Sequence, residues 1–180
     1  MKSKPEKSPT GGHTRRCLPI LLMAAFLLPF HAAAQAAMPL TPGETLSGKR
    51  LVLAETVRGH SAILVLGFSQ QAGDGCGAWA KALQADPALT GTLVYEAAML
   101  EKAPGFVRGM IKSSMRKGLT PAQQDAFVVL TQDEKLWRTW LDVSEDKDPY
   151  VVLLDSSGKI LWHGHGAAKD LEPQLRAARR

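Results

Sequence analysis

Four short apolar runs, separated by segments of helical pattern, restrict the fold more than any other feature. The runs are SAILVLGF (61–68), GTLVYEAAML (91–100), DAFVVLT (125–131) and PYVVLLD (149–155). Each has the length of a strand, is rich in apolar residues and contains β-branched side chains. Such runs are typical of strands covered on both faces of a sheet. The chain therefore predicts an α/β domain with a buried central sheet.

The segments between these runs complete the predicted order of elements. GETLSGKRLVL (43–53) predicts a hairpin that turns at Ser47-Gly48, and KILWHGHG (159–166) predicts the second arm of a closing hairpin. Helices are predicted over 77–86, 103–118, 132–142 and 167–180, with a glycine-rich turn before the first of them. This order resembles that of a thioredoxin-like three-layer sandwich, an α/β fold whose mixed central sheet has helices on both faces and ends in a hairpin plus helix.

The first 36 residues have the pattern of a signal peptide. Arg15 and Arg16 precede the apolar run 17–30, and Ala34-Gln35-Ala36 fits an A-x-A cleavage site. We therefore expect a signal peptide at 1–36, a thioredoxin-like domain at 37–180, and an exported, periplasmic protein. An uncleaved leader that tethers the domain to the membrane is the alternative.

Removal of this leader changes what the charge and cysteine content imply. Residues 1–36 hold five of the 22 Lys and Arg residues and one of the 17 acidic residues, so the remainder has a formal net charge of +1. The alkaline character of the whole chain is thus a property of the leader, and we expect no nucleic-acid partner. Cys17 leaves with the leader. Cys76 is then the only thiol, and it has no internal disulfide partner.

The unit formed by SAILVLGF and the following turn and helix resembles the active-site unit of thioredoxin-like proteins. A family C-x-x-C motif falls on positions 73 and 76, where this chain has Gly73-Asp74-Gly75-Cys76. In that family the first cysteine attacks the substrate and the second resolves the mixed disulfide. Glycine stands at the attacking position, which predicts the loss of dithiol exchange. The charge of Asp74 is expected to raise the pKa of the Cys76 thiol.

The alternative function is enzymatic and uses Cys76 as a single reactive thiol. Peroxiredoxins have one peroxidatic cysteine near the first turn of the same helix, with Thr or Ser three residues earlier. Here Gly73 occupies that position, and the segment SQQAGDGC contains no proline. A single-cysteine thiol oxidoreductase or a peroxiredoxin-like peroxidase remains the competing interpretation.

Two further motifs resemble the mitochondrial ATP synthase F0 assembly factors of the subunit-ten type and their bacterial relatives. One is SSMRKGLTP (113–121), and the other is the D-x-x-G-K-I-x-W pattern of residues 155–162. The resemblance implies an assembly or chaperone-like role without redox turnover. It also implies a protein or peptide client, such as a subunit of a membrane complex, and no cofactor.

The same resemblance to thioredoxin-like proteins implies a client-binding site. Pro149 matches the proline that lies beside the active-site turn, where a backbone edge is free to pair with a client peptide. The predicted client-binding residues are Gly73, Asp74, Gly75, Cys76, Asp148 and Pro149.

The helix over 103–118 carries a second candidate surface. Arg108, Lys112 and Arg116 recur at i, i+4 and i+8, a pattern that a solvated helix face also requires. As a functional alternative, together with Met115 they predict a contact with an acidic partner or with anionic lipid. On this interpretation Phe106, Val107 and Met110 form the opposite face and pack on the sheet.

Two other groups of residues have alternative interpretations. His163 and His165 point to one face of a strand and are metal candidates, but a metal site requires three or four ligands. We therefore expect no metal, and interpret both as hydrogen-bonding groups. Trp137 and Trp140 are predicted to cover the sheet.

Overall fold

All four apolar runs form strands of one seven-stranded sheet in the computed structural model, which describes residues 36–179. In chain order the strands are β1 (Pro42–Thr45), β2 (Arg50–Val52), β3 (Ala62–Gly67), β4 (Leu93–Met99), β5 (Phe127–Leu130), β6 (Tyr150–Leu154) and β7 (Ile160–His165). Their order across the sheet is β2-β1-β5-β4-β3-β6-β7. The three strands β5, β4 and β3 are parallel, and the pairs at both flanks are antiparallel. The mixed sheet and both predicted hairpins are confirmed.

The helices follow the predicted order, with additions. They are α1 (Leu53–Thr56), α2 (Ala72–Gln84), α3 (Gly105–Arg116), α4 (Pro121–Asp125), α5 (Glu134–Leu141) and α6 (Ala168–Ala178). The short helices α1 and α4 were not predicted. Helix α2 begins at Ala72, so the prediction of a glycine-rich turn before Gly77 is wrong.

Alternate residues of β3 point into two cores on opposite faces of the sheet. Leu64 and Leu66 face the core covered by α1 and α5, where Trp137 and Trp140 are buried as predicted. Ile63 and Val65 face the other core, which α2 and α6 cover. All six residues of β3 are buried, as expected of a central strand between two helical layers. The predicted three-layer arrangement is therefore confirmed.

Helix α3 is oriented differently from the prediction. Phe106 and Met110 are 88% and 68% exposed, so the prediction that they pack on the sheet is wrong. Of the three apolar residues predicted to lie inward, only Val107 is half-buried. The half-buried face of the helix contains Val107, Ile111 and Met115 together with the basic residues Arg108, Lys112 and Arg116. The basic residues lie inward because they find partners there: Arg108 donates to carbonyls of the loop before α3, Arg116 donates to a carbonyl of the β1–β2 turn, and Lys112 pairs with Glu44 of β1.

The predicted signal peptide, with Cys17, lies outside the described residues, apart from Ala36. Among residues 36–179, no helix is both long enough and apolar enough to cross a bilayer.

Candidate functional site

The segment Gly73–Cys76 lies in the first turns of α2, directly after the carboxyl end of β3. Gly73 and Asp74 are exposed, whereas Cys76 is buried with 3% of its surface accessible. The Ser69 hydroxyl connects this helix start to the loop before β6, because it accepts from Ala72 N at 3.3 Å and donates to the Asp146 carbonyl at 2.6 Å. The attacking position of a C-x-x-C motif therefore faces solvent, and the second position faces the core.

Cys76 is packed as a core side chain. A Cβ added to Gly67 would lie 3.1 Å from its Sγ, so the sulfur fills space that the glycine leaves open on β3. Burial, together with the nearby Glu96 carboxylate, raises the pKa of the Cys76 thiol to about 12. The charge involved is that of Glu96; the expectation that Asp74 supplies it is wrong. The thiol is protonated at neutral pH and is a poor nucleophile.

Pro149 lies against α2, beside Gly75. A Cβ added to Gly75 would approach Pro149 Cδ to 2.8 Å and Cγ to 2.9 Å, so only glycine allows this contact. The Pro149 carbonyl accepts from Gly166 N at 3.1 Å, and the Gly166 carbonyl accepts from Trp79 Nε1 at 2.9 Å. The proline loop is thus fixed to α2 by packing and to the end of β7 by hydrogen bonds.

Asp148 and His165 extend this site. His165 Nδ1 lies 2.8 Å from Asp148 Oδ2, and its ring stacks on Tyr150 with centroids 5.1 Å apart. The Tyr150 hydroxyl accepts from the backbone N–H groups of residues 144 and 145. These contacts hold the loop on both sides of Pro149. The structure therefore brings together the predicted client-binding residues from both segments.

His163 is exposed on the same face of β7 as His165. Within residues 36–179, no group of three or more His, Cys, Asp and Glu side chains is placed to hold a metal ion.

A groove that the sequence did not predict begins at Gly73 and Asp74. It consists of two adjoining cavities, of about 630 and 490 Å³, between α2, the strands β4 and β5, and helix α3 with the segment that follows it. Both cavities are lined by Gly73, Asp74, Glu96, Met115 and Phe127. We call this the α2–α3 groove. Its size is in the range of ligand pockets in proteins.

Glu96 is the half-buried carboxylate of this groove. It belongs to β4, where it is in register with Val65 and Phe127 of the neighbouring strands. Burial raises the pKa of Glu96 from 4.5 to about 7. Among the residues that the structure describes, none donates a hydrogen bond to its carboxylate or forms an ion pair with it. The available sequence signal is a single charge within an otherwise apolar strand.

The basic residues of α3 bind the domain itself. Arg108 donates to the carbonyls of residues 101 and 103, Lys112 pairs with Glu44 at 2.5 Å, and Arg116 donates to the Leu46 carbonyl at 2.5 Å. Their contact with an external partner stays a prediction. Met115, predicted to belong to the same surface, lines both cavities of the groove.

Comparison with known protein families shows to which family the chain belongs. The profile of the family described as "ATP10 protein" matches residues 26–177. The chain belongs to the ATP10 protein family. This result confirms the resemblance to the ATP synthase F0 assembly factors, and it covers the thioredoxin-like domain together with the α3 segment. A search among curated proteins gave no significant match.

Solved structures similar to this ATP10 family member are thioredoxin-like proteins. The exposed lipoprotein thioredoxin Etrx1 of Streptococcus pneumoniae has 15% identity and a TM-score of 0.54, over 80% of this chain and 98% of that one. A putative thiol:disulfide interchange protein DsbE of Chlorobium tepidum has 19% identity and a TM-score of 0.54, over 80% and 96%. Peroxiredoxin Q of Xanthomonas campestris has 13% identity and a TM-score of 0.50, over 79% and 97%. At these identities the similarity establishes the fold alone.

Proposed function

We propose that this ATP10 family member binds a protein or peptide client, such as a subunit of a membrane complex during assembly, without thiol-disulfide turnover. The observation that carries the proposal is the difference between positions 73 and 76, which lie within one turn of α2. Position 73 is an exposed glycine without a sulfur, and Cys76 is buried with a pKa of about 12. A site with this arrangement has no attacking thiolate, yet it retains the proline loop packed on α2.

The proposal places this activity outside the cytoplasm. Its support is the sequence pattern of residues 1–36, with paired arginines, an apolar run and an A-x-A site. A domain released by cleavage acts in the periplasm, and an uncleaved leader keeps the same domain at the membrane. In both cases the client binds the domain in the periplasm.

Site-specific cross-linking tests client binding. A photo-reactive phenylalanine analogue replaces Gly73, where no atom lies within 4 Å of the added Cβ, and the matched control carries it at exposed Lys169 of α6. Irradiation in the native envelope is expected to give adducts from position 73 that position 169 does not give. The same adducts are expected in a Cys76→Ser background. Identical adducts from both positions, or none from position 73, would reject a client site at α2.

The enzymatic alternative is tested with the same chain. Insulin reduction with dithiothreitol and peroxide consumption are measured for the wild type and for Cys76→Ser. We expect rates equal to those without protein in both cases, because a protonated buried thiol does not attack a disulfide or a peroxide. Turnover that Cys76→Ser abolishes would establish the single-thiol enzyme instead.

A further inference from the structure

The smaller cavity of the α2–α3 groove has an unusual balance of charge. Among the residues that the structure describes, its charged lining residues are Asp74 and Glu96, and no basic side chain lines it. The polar part of its wall comes from Ser69, Gln70 and Ser114. The remaining side chains are mostly apolar and include Met99, Leu100, Ile111, Met115 and Phe127. The cavity therefore offers negative charge within an apolar surface.

Within the described residues no basic side chain forms an ion pair with Glu96, although Glu96 also lines the larger cavity. Lys81 of α2 and Lys117 after α3 line the larger cavity only. Cys76, which lines the smaller cavity as well, is an uncharged thiol at neutral pH. A carboxylate in apolar surroundings without a cation is unfavourable unless a ligand supplies the positive charge.

We propose that the smaller cavity binds a lysine or arginine side chain of the client, flanked by apolar residues, with Glu96 as the partner of the cation. Asp74 stands at the solvent side of the same cavity and attracts the cation as it enters. Met115, Ile111 and Phe127 contact the apolar residues on either side. This inference rests on the proposed client-binding function and assigns its recognition chemistry.

Short labelled peptides test this recognition with the full chain. One peptide has a single central lysine between leucine and alanine residues, and its matched partners have norleucine or glutamate at that place. Fluorescence anisotropy gives the Kd of each. We expect the lysine peptide to bind about tenfold tighter than the norleucine peptide, since a charge-assisted hydrogen bond in a partly buried site is worth about 1.5 kcal/mol or more.

Variants assign the preference to the cavity. Glu96→Gln is expected to abolish the preference for lysine over norleucine. Asp74→Asn changes an exposed residue, carries little risk to folding, and is expected to reduce the preference two- to threefold. Glu55→Gln, at an exposed carboxylate outside the groove, is expected to leave it unchanged. A preference that survives both Glu96→Gln and Asp74→Asn would overturn the assignment.

The pH dependence gives an independent readout. Because burial raises the pKa of Glu96 to about 7, binding of the lysine peptide is expected to tighten between about pH 6 and pH 8 as the carboxylate forms. The norleucine peptide and the Glu96→Gln variant are expected to show no such change.

Failure of this inference is distinguishable from failure of the proposed function. Equal affinity for lysine and norleucine peptides, or no binding of either, overturns the cation site. Adducts specific to position 73 in the cross-linking experiment would then still support a client at α2. Loss of those adducts overturns the proposed function itself.

Discussion

Three glycines around the start of α2 have different structural roles. Gly67 leaves room for the Cys76 sulfur, Gly75 allows contact with Pro149, and Gly73 has open space around it. In the sequence, Gly67 belongs to the apolar run 61–68, whereas Gly73 and Gly75 look like parts of one flexible turn. Only the position of β3 and of the proline loop relative to α2 separates them.

Substitution of two of these glycines by alanine distinguishes the roles. Gly75→Ala is expected to lower the free energy of unfolding by about 1–3 kcal/mol, because its Cβ would lie 2.8 Å from Pro149 Cδ. Gly73→Ala is the matched control on the same helix and is expected to raise stability by up to about 1 kcal/mol. Urea unfolding followed by circular dichroism measures both. Equal stability of the two variants would show that Pro149 does not constrain position 75.

The reactivity of Cys76 provides a second prediction for a single residue. In a Cys17→Ser background, alkylation of Cys76 by iodoacetamide at pH 8 is expected to be at least about a hundredfold slower in the folded chain than in urea. Both burial and the pKa of about 12 reduce the available thiolate. The loss of free thiol is followed by mass spectrometry. A rate in the folded chain close to that in urea would place the sulfur at the surface.

At the level of elements, α2 and α3 show where sequence patterns are insufficient. Ala72, Cys76, Trp79 and Leu83 are the buried residues of α2, and they recur at helical spacing. Their spacing is that of a helix that begins at Ala72. The glycines at 73, 75 and 77 are poor helix formers, however, and they favour the prediction of a turn. For α3, the amphipathic pattern correctly indicated a helix and its end at Gly118, which has a positive φ of 81°. It did not indicate which face would lie inward.

The outward position of Phe106 and Met110 on α3 predicts an unusual result from mutagenesis. Replacing the apolar pair with serine, Phe106→Ser with Met110→Ser, is expected to change the free energy of unfolding by less than about 0.5 kcal/mol, because both side chains are exposed. Arg116→Met keeps an apolar side chain of similar length but removes the hydrogen bond to the Leu46 carbonyl. We expect it to cost about 1 kcal/mol. Urea unfolding that ranks the serine pair as the more damaging change would place the apolar face inward.

At the level of the whole molecule, the strands, both hairpins and the two helical layers are predictable from the sequence. Short apolar runs carry that information locally, and Pro149 beside α2 follows from the resemblance. The α2–α3 groove is not predictable in this way. Glu96 and Phe127 are neighbours because β4 and β5 pair, but Met115 joins them only through the placement of α3 beside these strands. Nothing in the sequence around any one of them indicates the others.

A carboxylate kept in this groove has a consequence for the stability of the whole domain. The pKa of Glu96 rises from 4.5 to about 7 on folding, so the folded chain holds this proton more tightly than the unfolded chain. The stability associated with that proton is present below about pH 4.5 and is lost as the pH rises through 7. The loss is nearly complete at pH 8, because this pH lies above the folded-state pKa of about 7.

Glu96→Gln removes this loss while keeping the size of the side chain. We expect the variant and the wild type to be similarly stable at about pH 4, and the variant to be about 1–2 kcal/mol more stable at pH 8, with the shift discounted for the partial exposure of the group. Urea unfolding at the two pH values measures the difference, and Glu55→Gln serves as the control that removes one carboxylate elsewhere. A variant that is less stable than the wild type at pH 8 would mean that the carboxylate already has a partner in the folded chain. In that case Glu96 would have a structural role. The groove would then lack the unpaired carboxylate on which the proposed binding of a lysine or arginine side chain depends.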